Sequence, residues 1–202
     1  YEISRRLVGS EMCIRDRVLS GDLNKNIVSS INNQGGSGVG ISGKDASLVI
    51  CEKDNPELGY VGKPIHINTK LITTLVENDF IPVISPIGTN EEGETFNINA
   101  DTMAGTIASA LKADRLLLLT DVSGVKDKSD NKIEKASTEE IKKLIKENVI
   151  KDGMIPKVNT AIDSIEKGVR AVVILDGSIQ NACLLELFTD HGVGTLIRKE
   201  LN

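Results

Sequence analysis

Three stretches of this 202-residue chain carry side chains whose types and spacing could do chemistry on an anionic substrate. In the first, FNINAD (96–101), Asn97 and Asn99 stand two apart and project from one side of an extended segment, while Asp101 falls at the start of a helical stretch. Plain capping of free helix amides by Asn99 or Asp101 would account for these residues equally well. The second, Asp121, Val122, Ser123, Gly124, Val125 and Lys126, follows a leucine run at 116–119. Ligands in open α/β sheets bind past such strand ends, although Asp, Ser and Gly also build ordinary turns. The third is Lys157, preceded by Asp152 and Gly153, in an early turn of a helix expected over 154–168. There its ammonium could meet phosphate oxygens near a positive helix end, whereas a lone helical lysine is usually solvated surface.

The elements that must position these groups follow from periodicity. Leu19, Leu23, Ile27, Val28 and Ile31 mark one face of a helix over 18–33, ended by Asn32, Asn33, Gly35 and Gly36. Short apolar runs at 39–41 and 48–51 and an alternating run at 60–67 read as strands, and a helix over 69–78 leads into a strand at 80–85. The Gly-, Asn- and Glu-rich stretch 87–95 reads as a hairpin or linker. Helices over 100–112, 137–147, 154–168 and 180–188 then alternate with buried strands at 115–120 and 169–175. Continuous apolar runs between amphipathic helices predict α/β class, a three-layer α/β/α sandwich with a mainly parallel central sheet.

Composition narrows the partners. Charged residues make up 26% of the chain and the net charge is −5 with both signs interspersed, so there is no basic stripe for nucleic acid. Without Trp, and with 2% aromatic residues, base stacking is not an available binding mode. No apolar run has transmembrane length, which argues against a membrane partner. Cys51 and Cys183 sit singly with no disulfide or metal spacing, pointing to a reducing cytoplasm and no metal site.

Some motifs invite more than they support. Gly38-Val39-Gly40-Ile41-Ser42-Gly43 satisfies a dinucleotide pattern and 38–44 nearly satisfies a P-loop, with Asp45 where Ser or Thr should bind magnesium. Both need a following helix to hold phosphate, and the strand expected over 46–51 rules them out. His66 lacks a partnered ligand motif and reads as structural, and His191 lies in a glycine-rich turn. The charged stretch 134–146 reads as a solvated helix face. Residues 11–17, EMCIRDR, resemble a translated transposon-end sequencing adaptor, so 1–17 is expected to be foreign and the native protein longer at its N-terminus.

In order, GETFNINADTMAG (93–105), LLLLTDVSGVKD (116–127) and KDGMIPKV (151–158) resemble the nucleotide half of an amino-acid kinase, most closely the N-acetylglutamate kinases. The resemblance runs in register from about 18 to 198. It implies a carbamate kinase-like fold, incomplete at its N-terminus because the family's opening glycine-rich loops and lysine have no counterpart here. A sheet left incomplete in that way would expose strand edges and apolar helix faces, favouring aggregation. The remainder of an acceptor-binding lobe would occupy 18–95 and an ATP-binding lobe 96–202. The implied activity is ATP- and Mg2+-dependent phosphorylation of the side-chain carboxylate of N-acetyl-L-glutamate in arginine biosynthesis. In this resemblance Asn97 binds the acylated amino acid, Asp101 orients catalytic lysines, and Lys157 stabilises the transferring phosphoryl group. Residues 121–126 with Val149, Ile150 and Lys151 contact ATP. Asp152 replaces the first of two glycines common in relatives. The resemblance also implies a homo-oligomer and, through the segment around His191, arginine feedback. The chain as given, without those opening loops, is expected to be inactive. Alternatives are another amino-acid-kinase family member (aspartokinase, glutamate 5-kinase, uridylate kinase or carbamate kinase) or an inactive nucleotide-binding fragment.

Overall fold

The structure, a computed structural model, describes residues 16–55, 59–189 and 192–200; residues 1–15 of the expected adaptor segment and His191 lie outside them. It divides into two compact units, Tyr1–Met103 and Ala104–Asn202.

In the first unit the expected helix over 18–33 forms as a π-helical stretch Arg17–Leu23 continuing into α1 (Asn24–Asn33). α1 packs on β1 (Gly38–Ser42) and β4 (Ile81–Ser85), which pair in parallel. Buried Asn24 ties the helix start to both strands, its Nδ2 donating to the Val83 carbonyl at 2.8 Å and to the Ile41 carbonyl at 3.3 Å. A second sheet runs in the order β3 (Gly62–Ile67), β2 (Val49–Lys53), β5 (Ile87–Thr89), β6 (Thr95–Asn97), and α2 spans Lys70–Glu77. The hairpin expected at 87–95 forms as β5 and β6, locked by Asn90, whose Oδ1 accepts from the Glu94 amide at 2.8 Å.

One local expectation is corrected. Residues 45–47 do not continue as a strand: Asp45–Ser47 is a single 3-10 turn with φ of 49° at Ala46 and 51° at Ser47, and β2 begins at Val49. The cause is Asp45, whose carboxylate accepts from the Ser42 amide at 2.6 Å and the Ser42 hydroxyl at 2.9 Å and folds the chain back over the end of β1. One 3-10 turn with its acidic residue turned onto β1 is no phosphate cradle, so the nucleotide fingerprints at 38–45 stay excluded.

In the second unit the sheet runs β7 (Leu116–Thr120), β9 (Val172–Asp176), β10 (Thr195–Arg198), β8 (Lys135–Ser137). Its helices are the body of α3 (Ala100–Leu111), α4 (Thr138–Lys146), α5 (Met154–Glu166) and α6 (Ala182–Phe188). Strand alternation sorts β9 between two cores. Val172 and Ile174 join Leu116, Leu118 and Ile197 under Ile141 of α4 and Val158, Ala161, Ile162 and Ile165 of α5, whereas Val173 and Leu175 meet Ala182 of α6 on the other face. This sheet is therefore covered on both sides. On α6 the outer residues Leu184, Leu187 and Phe188 remain exposed.

The α/β class is as expected, and the sheets are mixed. β1–β4, β2–β5, β7–β9 and β8–β10 are parallel, and β2–β3, β5–β6 and β9–β10 antiparallel. The connections 54–61 and 90–94 are too short for a parallel crossover and join antiparallel neighbours.

Candidate active site

Parallel pairing sets Thr120 of β7 opposite Asp176 of β9, so the loops beginning at 121 and 177 leave the sheet side by side at its carboxyl end. The Gly177 amide closes the gap by donating to the Thr120 carbonyl at 2.8 Å. Asp121 and Lys126 are exposed, as is Val122; Ser123 is half-buried, and Gly124 and Val125 are buried. Val125 belongs to the core, so what residue 125 can offer a ligand is backbone. Lys126 pairs with Asp130 at 3.0 Å across a turn. That turn is organised by Asp127, whose carboxylate accepts from the Ser129 amide at 2.7 Å and the Asn131 amide at 2.9 Å. The backbone bond from Asn131 is the main reason the Asp127 carboxyl titrates below its ordinary range.

The backbone of residue 124 has φ of 129°, and a Cβ there would lie 2.5 Å from the hydroxyl of Thr195. Gly124 is thus required twice, by its dihedral and by this close approach. At the same sheet end, Asp176 accepts from the Ser178 hydroxyl at 2.6 Å and from the Ser178 amide at 2.8 Å, which lower its pKa in that order. Asp176, Ser178 and Thr195 flank the expected loop and were not among the expected site residues. A strand followed by Asp-Gly-Ser resembles the signature that drew attention to 120–124, but only the strand register makes the two loops neighbours.

The second expected nucleotide stretch is launched from the end of α4. Asn148, at φ of 53°, takes the left-handed position after the helix, and the Val149 amide donates back to the Leu144 carbonyl at 3.0 Å. Val149 is half-buried, Ile150 is 4% exposed within the core, and Lys151 is exposed. Asp152 has φ of 46°, a left-handed conformation natural to glycine and tolerated by Asp. The Met154 and Ile155 amides donate to the Lys151 and Asp152 carbonyls at 3.2 and 3.1 Å. Both amides are therefore already used within the turn, and Lys157, fourth in α5, is half-buried. A cavity of about 430 Å³ in this unit is lined in part by Asp127, Ile133, Lys135, Glu140, Leu144 and Glu147, and none of the expected ATP residues lines it.

In the first unit Asn97 ends β6 with its amide donating to the Tyr60 carbonyl at 2.9 Å, its side chain half-buried beside buried Phe96 and Ile98. The capping question is settled by geometry: Asn99 precedes α3 and its Oδ1 accepts from the Thr102 amide at 3.1 Å. Asp101 is half-buried in the first turn of α3. A cavity of about 410 Å³ in the same unit is lined by Cys51, Lys53, Tyr60, Glu92, Glu94 and Phe96 among others. Burial raises the Cys51 thiol to about 11, so it stays protonated. His66 is exposed on β3. Among the described residues no group of three or more His, Cys, Asp or Glu could hold a metal ion, and no helix is long and apolar enough to cross a membrane.

The chain is similar to known proteins. The chain is 56% identical over 185 residues to an acetylglutamate kinase of Ruegeria pomeroyi, covering 92% of this chain and 64% of that protein. It is 55% identical over 184 residues to an acetylglutamate kinase of Paracoccus denitrificans, covering 91% of this chain and 60% of the relative. The chain thus spans less than two thirds of the length of these relatives. Among solved structures, smu.665 from Streptococcus mutans superposes with a TM-score of 0.76 at 31% identity over 92% of this chain and 70% of that one. An N-acetylglutamate synthase from Neisseria gonorrhoeae, complexed with coenzyme A and L-arginine, matches with a TM-score of 0.71 at 26% identity over 82% of this chain and 38% of its own. The sequence model of the amino acid kinase family matches residues 3–176, from before the first described helix to the end of β9. This chain belongs to the amino acid kinase family.

Proposed function

We propose that the chain serves an ATP-dependent N-acetylglutamate kinase, in which the side-chain carboxylate of N-acetyl-L-glutamate attacks the γ-phosphorus of ATP. One acyl P–O bond forms as the bond to the β-phosphate oxygen breaks, releasing ADP. The observation that carries this reading is the 56% identity, over 92% of the chain, to an acetylglutamate kinase. A carboxylate acceptor is already ionised near neutral pH, so no general base is required and the protein's part is positioning and charge neutralisation. In this reading 18–95 is acceptor lobe and 96–202 ATP lobe. Asn97 binds the acylated amino acid, Lys157 offsets charge on the equatorial oxygens of the transferring group, and Asp101 orients that lysine. Residues 121–126 and 149–151 hold the nucleotide, with Val125 and Ile150 contributing backbone groups because their side chains are core. Mg2+ bound with the nucleotide supplies further positive charge along the phosphates. Support for a phosphate-bearing ligand comes from Lys157 at the start of α5 and from the loop at the carboxyl end of β7.

The test is ADP release from MgATP with N-acetyl-L-glutamate, run beside L-aspartate, L-glutamate, UMP and carbamate as acceptors and beside MgATP binding. In a kinase of the relatives' full length, turnover with N-acetyl-L-glutamate alone is the expected result. ADP formed with a different acceptor would move the chain elsewhere in the family, and MgATP binding without ADP would leave it a nucleotide-binding piece. Lys157→Ala should lower turnover by a factor of ~100 or more, as loss of a single transition-state donor does, with the circular dichroism spectrum unchanged. Cytoplasmic residence, self-association and arginine inhibition through the segment around 189–195 belong to the same proposal. Light scattering, and initial velocity in saturating arginine, test the last two.

A further inference from the structure

Thr195, the first residue of β10, is 0% exposed, yet its hydroxyl makes two polar contacts with a different part of the chain. It accepts from the Val125 amide at 2.9 Å and donates to the Ile133 carbonyl at 2.6 Å. The Ile133 amide in turn donates to the Val125 carbonyl at 2.8 Å, so the base of the 125–133 hairpin closes into a ring through one side chain. The fit is tight, because Gly124 leaves no Cβ where the hydroxyl sits. From the other side Thr195 is held by β10, paired with Ile174 in the middle of the buried sheet. A valine would fill the same volume but could neither accept nor donate, leaving a buried amide and a buried carbonyl unpaired.

We propose that Thr195 is the positioning residue of the nucleotide loop, its hydroxyl fixing the backbone of 121–126 against the sheet in the shape that receives the phosphates. The inference rests on the nucleotide reading of that loop and deepens it: the residue responsible for the loop's shape lies about seventy positions downstream in sequence and touches no ligand. It also separates the role of Gly124 from phosphate contact, since its lack of a side chain is what admits the hydroxyl. A structural residue of general importance would weaken the whole unit, whereas a positioning residue loosens this loop and lowers nucleotide affinity while the sheet keeps its protection.

The experiment compares wild type, Thr195→Val and Thr195→Ser at low temperature, where circular dichroism shows all three folded. MgATP binding is measured by titration calorimetry and amide hydrogen exchange at Val125 and Val172 by mass spectrometry or NMR. Thr195→Val should speed exchange at Val125 by about tenfold or more, leave Val172 unchanged, and weaken MgATP by about tenfold, the scale of one lost hydrogen bond. Thr195→Ser, which restores the hydroxyl, should bind and exchange close to wild type. Undiminished MgATP affinity in Thr195→Val overturns the proposal, whether or not Val125 loosens. Should Thr195→Val not fold, Thr195→Cys, with a weak acceptor of similar size, replaces it under the same criteria. Failure of the wild type itself to bind MgATP, with Val125 protected, refutes the nucleotide reading and this inference with it, and is distinguished by appearing before any variant is made.

Discussion

Gly124→Ala is the sharpest test of the loop geometry, because two separable costs meet at one atom. A side chain at φ of 129° places the residue where non-glycine backbone is strained, at about 1–3 kcal/mol. The new methyl would also lie 2.5 Å from the Thr195 hydroxyl, which has no empty space to move into because Thr195 is 0% exposed. Displacing that hydroxyl forfeits its bonds to Val125 and Ile133, each worth about 1 kcal/mol net. The sum is about 3–5 kcal/mol if the loop stays in place, and nearer 2 kcal/mol if the backbone relaxes away from Thr195. Urea unfolding followed by far-UV circular dichroism measures the total. A double-mutant cycle with Thr195→Ala then divides it: with the hydroxyl gone, Gly124→Ala should retain only the backbone cost, so the two changes should be non-additive by about 1–2 kcal/mol. Costs that add to within about 0.5 kcal/mol would show that the residues do not share this contact and would refute the account of why glycine stands there.

Three further effects should be measurable by the same unfolding assay. Ser137 and Glu140 form a capping box at α4, the Glu140 amide donating to the Ser137 hydroxyl at 3.2 Å and the Ser137 amide to the Glu140 carboxylate at 2.7 Å, so Ser137→Ala should cost about 1 kcal/mol. The Ser137 amide, then its hydroxyl, lower the Glu140 pKa, so this contribution is present at neutral pH and is lost as pH falls below about 4.3 and through the folded value; at this exposed site the loss should be a few tenths of a kcal/mol, and a flat profile there would count against it. Lys112, at φ of 49° after α3, has no short polar side chain to excuse the left-handed position, and Lys112→Gly should raise the urea midpoint by the equivalent of about 1 kcal/mol.

Much of this arrangement was legible in the sequence where local rules coincide with tertiary demand. The Ser-x-x-Glu box starts α4 where the charged stretch predicted a helix, and the leucines of 116–119 form a strand between two cores because nothing polar interrupts them. What escaped was short or non-local. β8 and β10 contain three and four residues, too few for a periodic signal against their flanking turns. Asp45 marked a departure from the P-loop pattern, but the pattern could not show that its carboxylate is taken by Ser42 and turns the chain off β1. Capping by Asn99 or by Asp101 could not be told apart until the bond to Thr102 chose Asn99. Thr195 belongs with the 121–126 loop through a contact 70 residues away, which no local window contains.

The candidate loops also show why residue identity and residue role need not coincide. Val125 and Ile150 fall inside the stretches expected to contact nucleotide, yet both side chains face the core, while the exposed side chains around them are Asp121, Val122, Lys126 and Lys151. A loop that presents backbone groups to phosphate needs anchors that keep those groups from relaxing into ordinary turn bonds, and buried aliphatic side chains on either side of the presenting segment are such anchors. Val125 anchors the loop into the sheet core and Thr195 fixes its amide; Ile150 does the same for the second stretch, after Asn148 has turned the chain out of α4. On this argument the loops tolerate change at exposed Val122 and Lys151 better than at Val125 and Ile150. The buried residues of such motifs preserve a shape, and the ligand reads the shape.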